Sequence, residues 1–470
     1  MAYRKLLNAL GPDLAIVGAD SPEHYHRDWT ASAAVVPAVV VRPRSTDDVS
    51  RTLSLCNELG LPVVPQGGRT GLVRGAMPDP ESVVVSLDRM RPEMQLDPIG
   101  QRVTVGAGMT LAEVQSLAIE NGMSFPVDFG ARGSCQIGGM LATNAGGMQV
   151  LRYGMIRKQV LGLEAVLADG SVVGSISGLE KNNAGLNLEQ LLIGSEGTLG
   201  IITRAVLRLV SQDRARCVAM LSVPSVAAAM KVLSRLRQLR LEVNAFEAMW
   251  PGYYAYACRV TYDQPLAPHD GLQILIEITG NEDGALFDGL LNALEPLMED
   301  STVTDAVVAQ SEAQADALWE IREANEALTT RYPQIVSFDI SLAVRDIEGF
   351  VAEWRKSIAD IVEGAELICF GHLGDGNLHL AVLSQRRFSA SELQETKYVT
   401  LSAVGRRGGS ISAEHGIGRD KLPYLGLSRT AAEIRAMRSI KAALDPRWIL
   451  NPDAMLPREM PKSLSEIVFS

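Results

Sequence analysis

Two stretches in the first half of this chain hold more glycine than a helix or strand interior tolerates, where each glycine costs roughly 0.5–1 kcal/mol. VVPQGGRTGLVRGA carries Gly67, Gly68, Gly71 and Gly75, and FPVDFGARGSCQIGGMLATNAGG carries Gly130, Gly133, Gly138, Gly139, Gly146 and Gly147. Both read as loops whose main-chain N–H groups approach a ligand or another backbone with no Cβ in the way. Without a ligand they are turn-rich connections; with one, they are amide nests for an anion. Neither is GxGxxG opening a helix nor GxxxxGK[ST], which disfavours a Rossmann site and a P-loop. A dinucleotide held here needs another fold.

Strand, helix and strand signals surround the first loop. Val39–Val41 reads as a buried strand, and Ser45 as the cap of a helix with Asp47 and Asp48 in its positive first turn. Gly60 ends that helix before a short strand from Pro62 to Pro65. A like unit follows at VTVGAG, where Thr110 and Glu113 are spaced as a capping box for a helix running to Asn121. A chain of 470 residues outgrows one ordinary core, and the polar stretch from Ser211 to Arg216 is the natural boundary. Beyond it, helices at Val226–Arg240 and through Leu290 and Leu318 alternate with strands ILIEIT and VSFDISLAV, an α+β pattern. A last helix, from about Thr430 to Leu444, precedes ILNP.

Histidine is scarce, six in the whole chain, yet GHLGDGNLHL (Gly371 to Leu380) holds two. Asp-Gly between apolar flanks predicts a hairpin with a two-residue turn at Asp375-Gly376. Pairing outward sets Gly374 opposite Asn377, Leu373 opposite Leu378 and His372 opposite His379. Opposed residues share a sheet face with Cβ atoms about 4.5–5.5 Å apart, close enough for two imidazoles to grip one metal ion. A plain hairpin explains the glycines and leaves the histidines unexplained.

The formal net charge of -11 argues against a nucleic-acid or anionic-membrane surface, which needs clustered Lys and Arg. Five scattered cysteines with no CxxC suit a reducing cytoplasm rather than an iron–sulfur cluster or structural zinc. The start, MAYRKLLNALGPD, lacks a signal-peptide pattern, and the longest apolar run, near AVVPAVVV, is too short to span a bilayer. A soluble, cytoplasmic protein is the expectation.

Taken together, PQGGRTGL, GARGSCQIGGMLATNAGG, GSEGTLGIIT (Gly194 to Thr203), GHLGDGNLH and SAEHGIGRDK (Ser412 to Lys421) resemble the FAD-dependent D-2-hydroxyacid dehydrogenases of the vanillyl-alcohol oxidase superfamily. The resemblance runs from about residue 35 to residue 455, in the family's order. It implies an α+β fold: a two-lobed FAD-binding domain, an α+β cap domain with the metal site, and a C-terminal helical segment returning to the FAD side. The expected divisions are 1–34 as an N-terminal segment, 35–212 for FAD, 213–425 for the cap and 426–470 for the helical return. By the same resemblance Gln66, Gly67, Gly68, Arg69, Thr70, Gly71 and Leu72 hold FAD together with Gly133, Ser134, Gly138, Gly139, Thr143 and Asn144. Glu196, Ile201, Ile202 and Asn451 complete the cofactor set. The first loop has Arg69 and Thr70 and neither His nor Cys, so FAD is expected to be non-covalent. Many relatives have Asn where Arg69 stands, and the change offers a charge contact to the pyrophosphate.

The resemblance assigns Glu414 to a divalent metal beside His372 and His379, and leaves His415 to the substrate. If SAEHGIG is extended, those two neighbours point to opposite faces. Two imidazoles and one carboxylate with an open position suit catalytic zinc, with iron(II) or manganese as alternatives. A 2-hydroxy acid chelated there would lose its hydroxyl proton to His415 and hydride to the flavin. Arg322, on ALWEIREANEAL, resembles the family's clamp for the substrate carboxylate; the bland alternative is a solvated arginine paired with Glu326 one turn on. Three departures bear on the substrate. Ser337 stands where 2-hydroxyglutarate dehydrogenases usually carry Lys, Ala381 where they have Asn, and Glu326 where Thr is frequent. They weaken the case for 2-hydroxyglutarate and raise that for an acid with an uncharged tail. The electron acceptor is expected to be an electron transfer flavoprotein or quinone, and a homodimer is compatible with the family. Competing readings are an oxygen-using oxidase, a metal-dependent hydrolase with merely structural glycine loops, and a binding component with a vestigial site.

Overall fold

The caps and stops written in the sequence form as read. In the computed structural model, which describes residues 1–30 and 33–459, the Ser45 side chain accepts from Asp48 N to start helix Thr46–Leu59, and Gly60 ends it at φ 67°. Thr110 and Glu113 close a full capping box on helix Leu111–Glu120. The chain divides into two compact units, the first made of Met1–Gly147, Tyr153–Gln212 and Glu414–Ser470, the second of Met148–Arg152 and Asp213–Ala413.

The first unit has two lobes, each with its own sheet and core. Strands Val39–Val41, Val83–Ser86 and Val63–Gln66 run parallel, with Ala15–Val17 antiparallel at the edge. Helix Thr46–Leu59 buries Val49, Leu53 and Cys56 in the core with those strands. The other lobe is a five-stranded antiparallel sheet in the order Gln95–Asp97, Arg102–Gly106, Ile201–Arg208, Val160–Val166, Val172–Ser175. Its core takes Leu111 and Val114 from one helix and Ile137 and Leu141 from another. Residues set apart as an N-terminal segment contribute Leu6, Leu10 and Ala15 to the first lobe's core.

The C-terminal return is built around a buried lysine. Lys441, on helix Ala431–Leu444, donates to Thr198 O at 2.7 Å, Leu450 O at 2.8 Å and Asp445 Oδ2 at 2.5 Å. Asp445 also accepts from the Ile449 and Leu450 amides, and Leu450 bridges Val63 in parallel. The chain therefore rejoins the first unit's sheet through charge-assisted bonds shielded from water, the stronger class. It rejoins already at Glu414, ahead of the 425 boundary expected from sequence, because the 417–420 backbone is bonded to Glu196 and Val73.

The second unit is a seven-stranded antiparallel sheet, in the order Asp305–Val308, Ala215–Val223, Leu272–Gly280, Glu242–Met249, Glu366–His372, Asn377–Ser384, Gln334–Ser341. Helices Pro251–Thr261 and Glu312–Arg322 cover one face, packing Tyr253, Leu318 and Ile321 on Met249, Phe370 and Ala381. Among the described residues no helix is long and apolar enough to cross a membrane.

Candidate active site

The two glycine loops meet in the first unit. A Cβ on Gly68 would lie 2.1 Å from Ser134 O, and one on Gly67 would lie 3.3 Å from Gly139 Cα, so the loops touch backbone to backbone. Gly71 faces open space. Between and around the loops lies a cavity of about 400 Å³. Gly67 through Leu72, Gly138, Gly139, Thr143, Glu196, Ile201 and Ile202 border it, as do Glu414 and His415. Five residues of the expected cofactor set do not border it. Gln66 lies beneath the loop, its Nε2 donating to Tyr25 O and Ala76 O, and Ser134 O backs Gly68 within the turn that also holds Gly133. Asn144 caps a helix at φ 51°, its Oδ1 accepting from Arg157 N. Asn451, a fifth residue off the lining, braces the wall from behind by donating to Gly75 O and Glu196 O.

Arg69 adopts φ 58°, the left-handed region where Asn is far better tolerated. Its Nη1 lies 3.2 Å from Gly67 O and 3.4 Å from Asp88 Oδ1. The guanidinium is thus engaged by its own loop and Asp88, and the expected charge contact to a pyrophosphate is not its observed pairing.

Glu196 fixes the loop that carries Glu414 and His415. Its Oε1 accepts from Ile417 N and its Oε2 from Gly418 N, both at 2.7 Å. Burial pushes its carboxyl up, and the two amides act against that. Gly416 and Gly418 take φ 83° and 51°, and a Cβ on Gly416 would lie 2.7 Å from Glu196 Oε1. The loop is bent rather than extended, so the expectation that Glu414 and His415 diverge fails: both border one cavity. Glu414 Oε1 accepts from Gly147 N at 2.6 Å, in space that a side chain on Gly146 would fill.

In the second unit the histidine hairpin forms with a different register. His379 lies opposite Phe370, not His372, and the strands end at His372 and Asn377, leaving a loop from Leu373 to Gly376. The two-residue turn does not form because Gly376 N bonds Leu373 O within that wider loop, while Gly376 packs at φ 81° against Leu342 O. The slip is by two residues, so both imidazoles keep the same face. Their ring centroids are 5.3 Å apart at an interplanar angle of 85°.

Carboxylates stand behind both rings. His372 Nδ1 bonds Glu247 Oε1 at 2.7 Å, and Asp339, directly opposite His379, accepts from Ala413 N at 3.0 Å. Arg322, which ends its helix buried, places Nε and Nη2 on Glu247 Oε2 at 2.8 and 2.6 Å. Burial alone would raise the Glu247 carboxyl, but the charges of His372 and Arg322 hold it down to about 2. Pairing with Glu247 replaces the solvated Arg322–Glu326 alternative; the Glu326 side chain lies outside the described residues. Sequence reading passed over Glu247, although one acid in the apolar strand VNAFEAM is a signal, because a buried carboxylate needs a partner.

A family model described as FAD binding domain matches residues 37–175, and one described as FAD linked oxidases, C-terminal domain matches residues 212–455. The chain is 40% identical over 436 residues to the D-2-hydroxyglutarate dehydrogenase of Xanthomonas citri pv. viticola, covering 92% of this chain and 91% of that one. It belongs to the FAD-linked D-2-hydroxyacid dehydrogenases. A putative mitochondrial D-lactate dehydrogenase of Schizosaccharomyces pombe is 34% identical over 439 residues, covering 91% and 83%. In fold, the chain matches p-cresol methylhydroxylase with substrate bound (TM-score 0.75, 16% identity, 96% and 95% covered). It also matches alkyldihydroxyacetonephosphate synthase (TM-score 0.72, 18% identity, 96% and 84% covered).

The residues present in this dehydrogenase fit FAD. Glycine backbone lines the cavity, and the Gln136 Oε1 at its wall is buried with no partner among the described residues. A buried acceptor of this kind calls for a donor, and FAD carries hydroxyl and ring N–H groups that would serve. Cys135 also borders the cavity, but burial pushes its thiol up to about 11. Glu247 can be tested directly. Glu247→Gln keeps the shape and removes the charge that Arg322 needs, so it is expected to cost about 3–5 kcal/mol of stability by denaturant unfolding.

Proposed function

We propose that this dehydrogenase oxidises a D-2-hydroxy acid to the 2-keto acid at a site combining non-covalent FAD with a divalent metal held by His372, His379 and Glu414. The observation that carries the metal half is the His372–Glu247 bond: a carboxylate holds Nδ1 and orients the ring, and this reading gives Nε2 to the metal. Glu414 follows Ala413, whose amide is tied to Asp339 opposite His379, so one chain step of about 3.8 Å brings a carboxylate into reach. The three together offer two imidazole nitrogens and a carboxylate oxygen, a donor set that fits zinc, manganese or iron(II).

When bound, the flavin accepts the hydride from Cα, and the metal supplies a Lewis acid for the hydroxyl. The chain's residues do the rest. His415 takes the hydroxyl proton on its imidazole, in a loop held by the Glu196 carboxylate. A guanidinium has five donors in a fixed fork; Glu247 engages Nε and Nη2 of Arg322, and the Nη1 edge is the one this reading gives to the substrate carboxylate. Non-covalent FAD is supported by the first loop, whose reactive types are absent between Gln66 and Leu72. Electrons then pass to an electron transfer flavoprotein or a quinone, in a cytoplasm whose reducing poise suits the five free cysteines.

The purified protein should be yellow and should bleach without oxygen when given a D-2-hydroxy acid. A colourless protein, or bound flavin that neither D- nor L-2-hydroxy acids reduce, would end this reading.

A further inference from the structure

The cavity wall between the two glycine loops carries an amide whose two ends are used unequally. Gln136 is 7% exposed and precedes helix Ile137–Thr143 without capping it through its side chain. Its Nε2 donates to Asp88 Oδ1 at 2.9 Å. Its Oε1 is the buried atom with no partner among the described residues, so near the first loop that a Cβ on Gly67 would lie 3.7 Å from it.

The two ends of an amide are alike in shape and opposite in hydrogen bonding, so the partner decides which end is left for a ligand. Here the partner is a carboxylate on the turn that follows strand Val83–Ser86. Asp88 also receives Arg69 Nη1, at 3.4 Å on Oδ1 and 3.5 Å on Oδ2, and its own main-chain N donates to Ser86 Oγ. Donors from both glycine loops, Arg69 on the first and Gln136 on the second, thus converge on one acceptor. That acceptor draws the NH2 end of Gln136 to itself and leaves the oxygen end for the cavity. A wall that could have offered either end offers an acceptor.

We infer that Asp88 is a positioning residue for FAD: it holds the Gln136 side chain so that Oε1 accepts from a hydroxyl or ring N–H of the cofactor. The inference rests on the FAD reading above and deepens it, since neither Asp88 nor Gln136 belongs to the cofactor set expected from sequence. Gln136→Met keeps the length of the side chain and removes both ends of the amide, and the helix keeps its start because the side chain does not cap it. FAD release from the holoenzyme, read as the rise of flavin fluorescence on dilution, should show affinity weakened about tenfold, the scale of a buried hydrogen-bonding group left unpaired. Asp88→Asn gives a side chain that donates as well as accepts, which lets the Gln136 amide turn over, and should weaken affinity about three- to tenfold. In a protein carrying both changes, Asp88→Asn should add nothing to the loss, because its effect runs through the amide. Additive losses would overturn the inference and assign Asp88 to Arg69 or to the fold. Unchanged affinity in Gln136→Met would overturn it without the second variant. A loss with a shifted flavin absorption maximum places the donor on the ring N–H, and a loss with an unmoved maximum places it on a hydroxyl; both uphold the inference. An unsubstituted protein that neither carries nor takes up flavin would instead sink the reading on which it rests.

Discussion

His372→Ala is expected to give a yellow protein that has lost its metal and nearly all turnover. Glu247 keeps its ion pair with Arg322 in this variant, so the sheet retains a compensated carboxylate and folds. The cofactor cavity is lined by residues of the first unit, so flavin content should be unchanged. A Lewis acid contributes several kcal/mol to such a reaction, which at about 1.4 kcal/mol per decade amounts to roughly 10²–10⁴-fold in rate. Metal analysis, visible absorbance and anaerobic reduction by a D-2-hydroxy acid read the three properties separately. Full turnover in enzyme stripped of metal by a chelator would refute the part given to the hairpin.

His415→Ala should behave differently, keeping both metal and flavin and slowing flavin reduction by about two or more orders of magnitude, the scale of a lost general base. Its loop is held by Glu196, by Val73 O and by Met455 N, none of which involves the imidazole, so the backbone should not move. Added imidazole should then restore part of the rate. Reduction at the original rate would remove His415 from the chemistry and return the proton to another acceptor.

The hairpin shows how a site survives an error in register. Asp375-Gly376 is a genuine turn signal, but the contact of Gly376 with Leu342 O selects a loop four residues wide. Because side chains alternate with period two, a slip of two residues changes each histidine's partner and leaves its face unchanged. A slip of one would have sent one imidazole to the other side of the sheet. The Glu414–His415 pair went the other way. An extended chain would set the two on opposite faces; the left-handed Gly416 and Gly418 bend it, with the Ile417 and Gly418 amides bound to Glu196.

Local chemistry was legible without coordinates. Ser45, Gly60 and the Thr110–Glu113 box specify helix ends through bonds a few residues apart, and the glycine loops announced a backbone-lined cavity because only glycine permits such approach. What the sequence by itself determined was the element order, the loop chemistry and the two histidines on one strand face. Only the tertiary structure decided that Glu247 braces His372, that Glu196 pins the Glu414–His415 loop, and that Ser337 stands opposite Ala381. Those pairs join residues separated by 125, 221 and 44 positions. Periodicity and capping act over one or two turns of chain, whereas pairing at such separations is set by how strands stack and by where a buried carboxylate finds its donors.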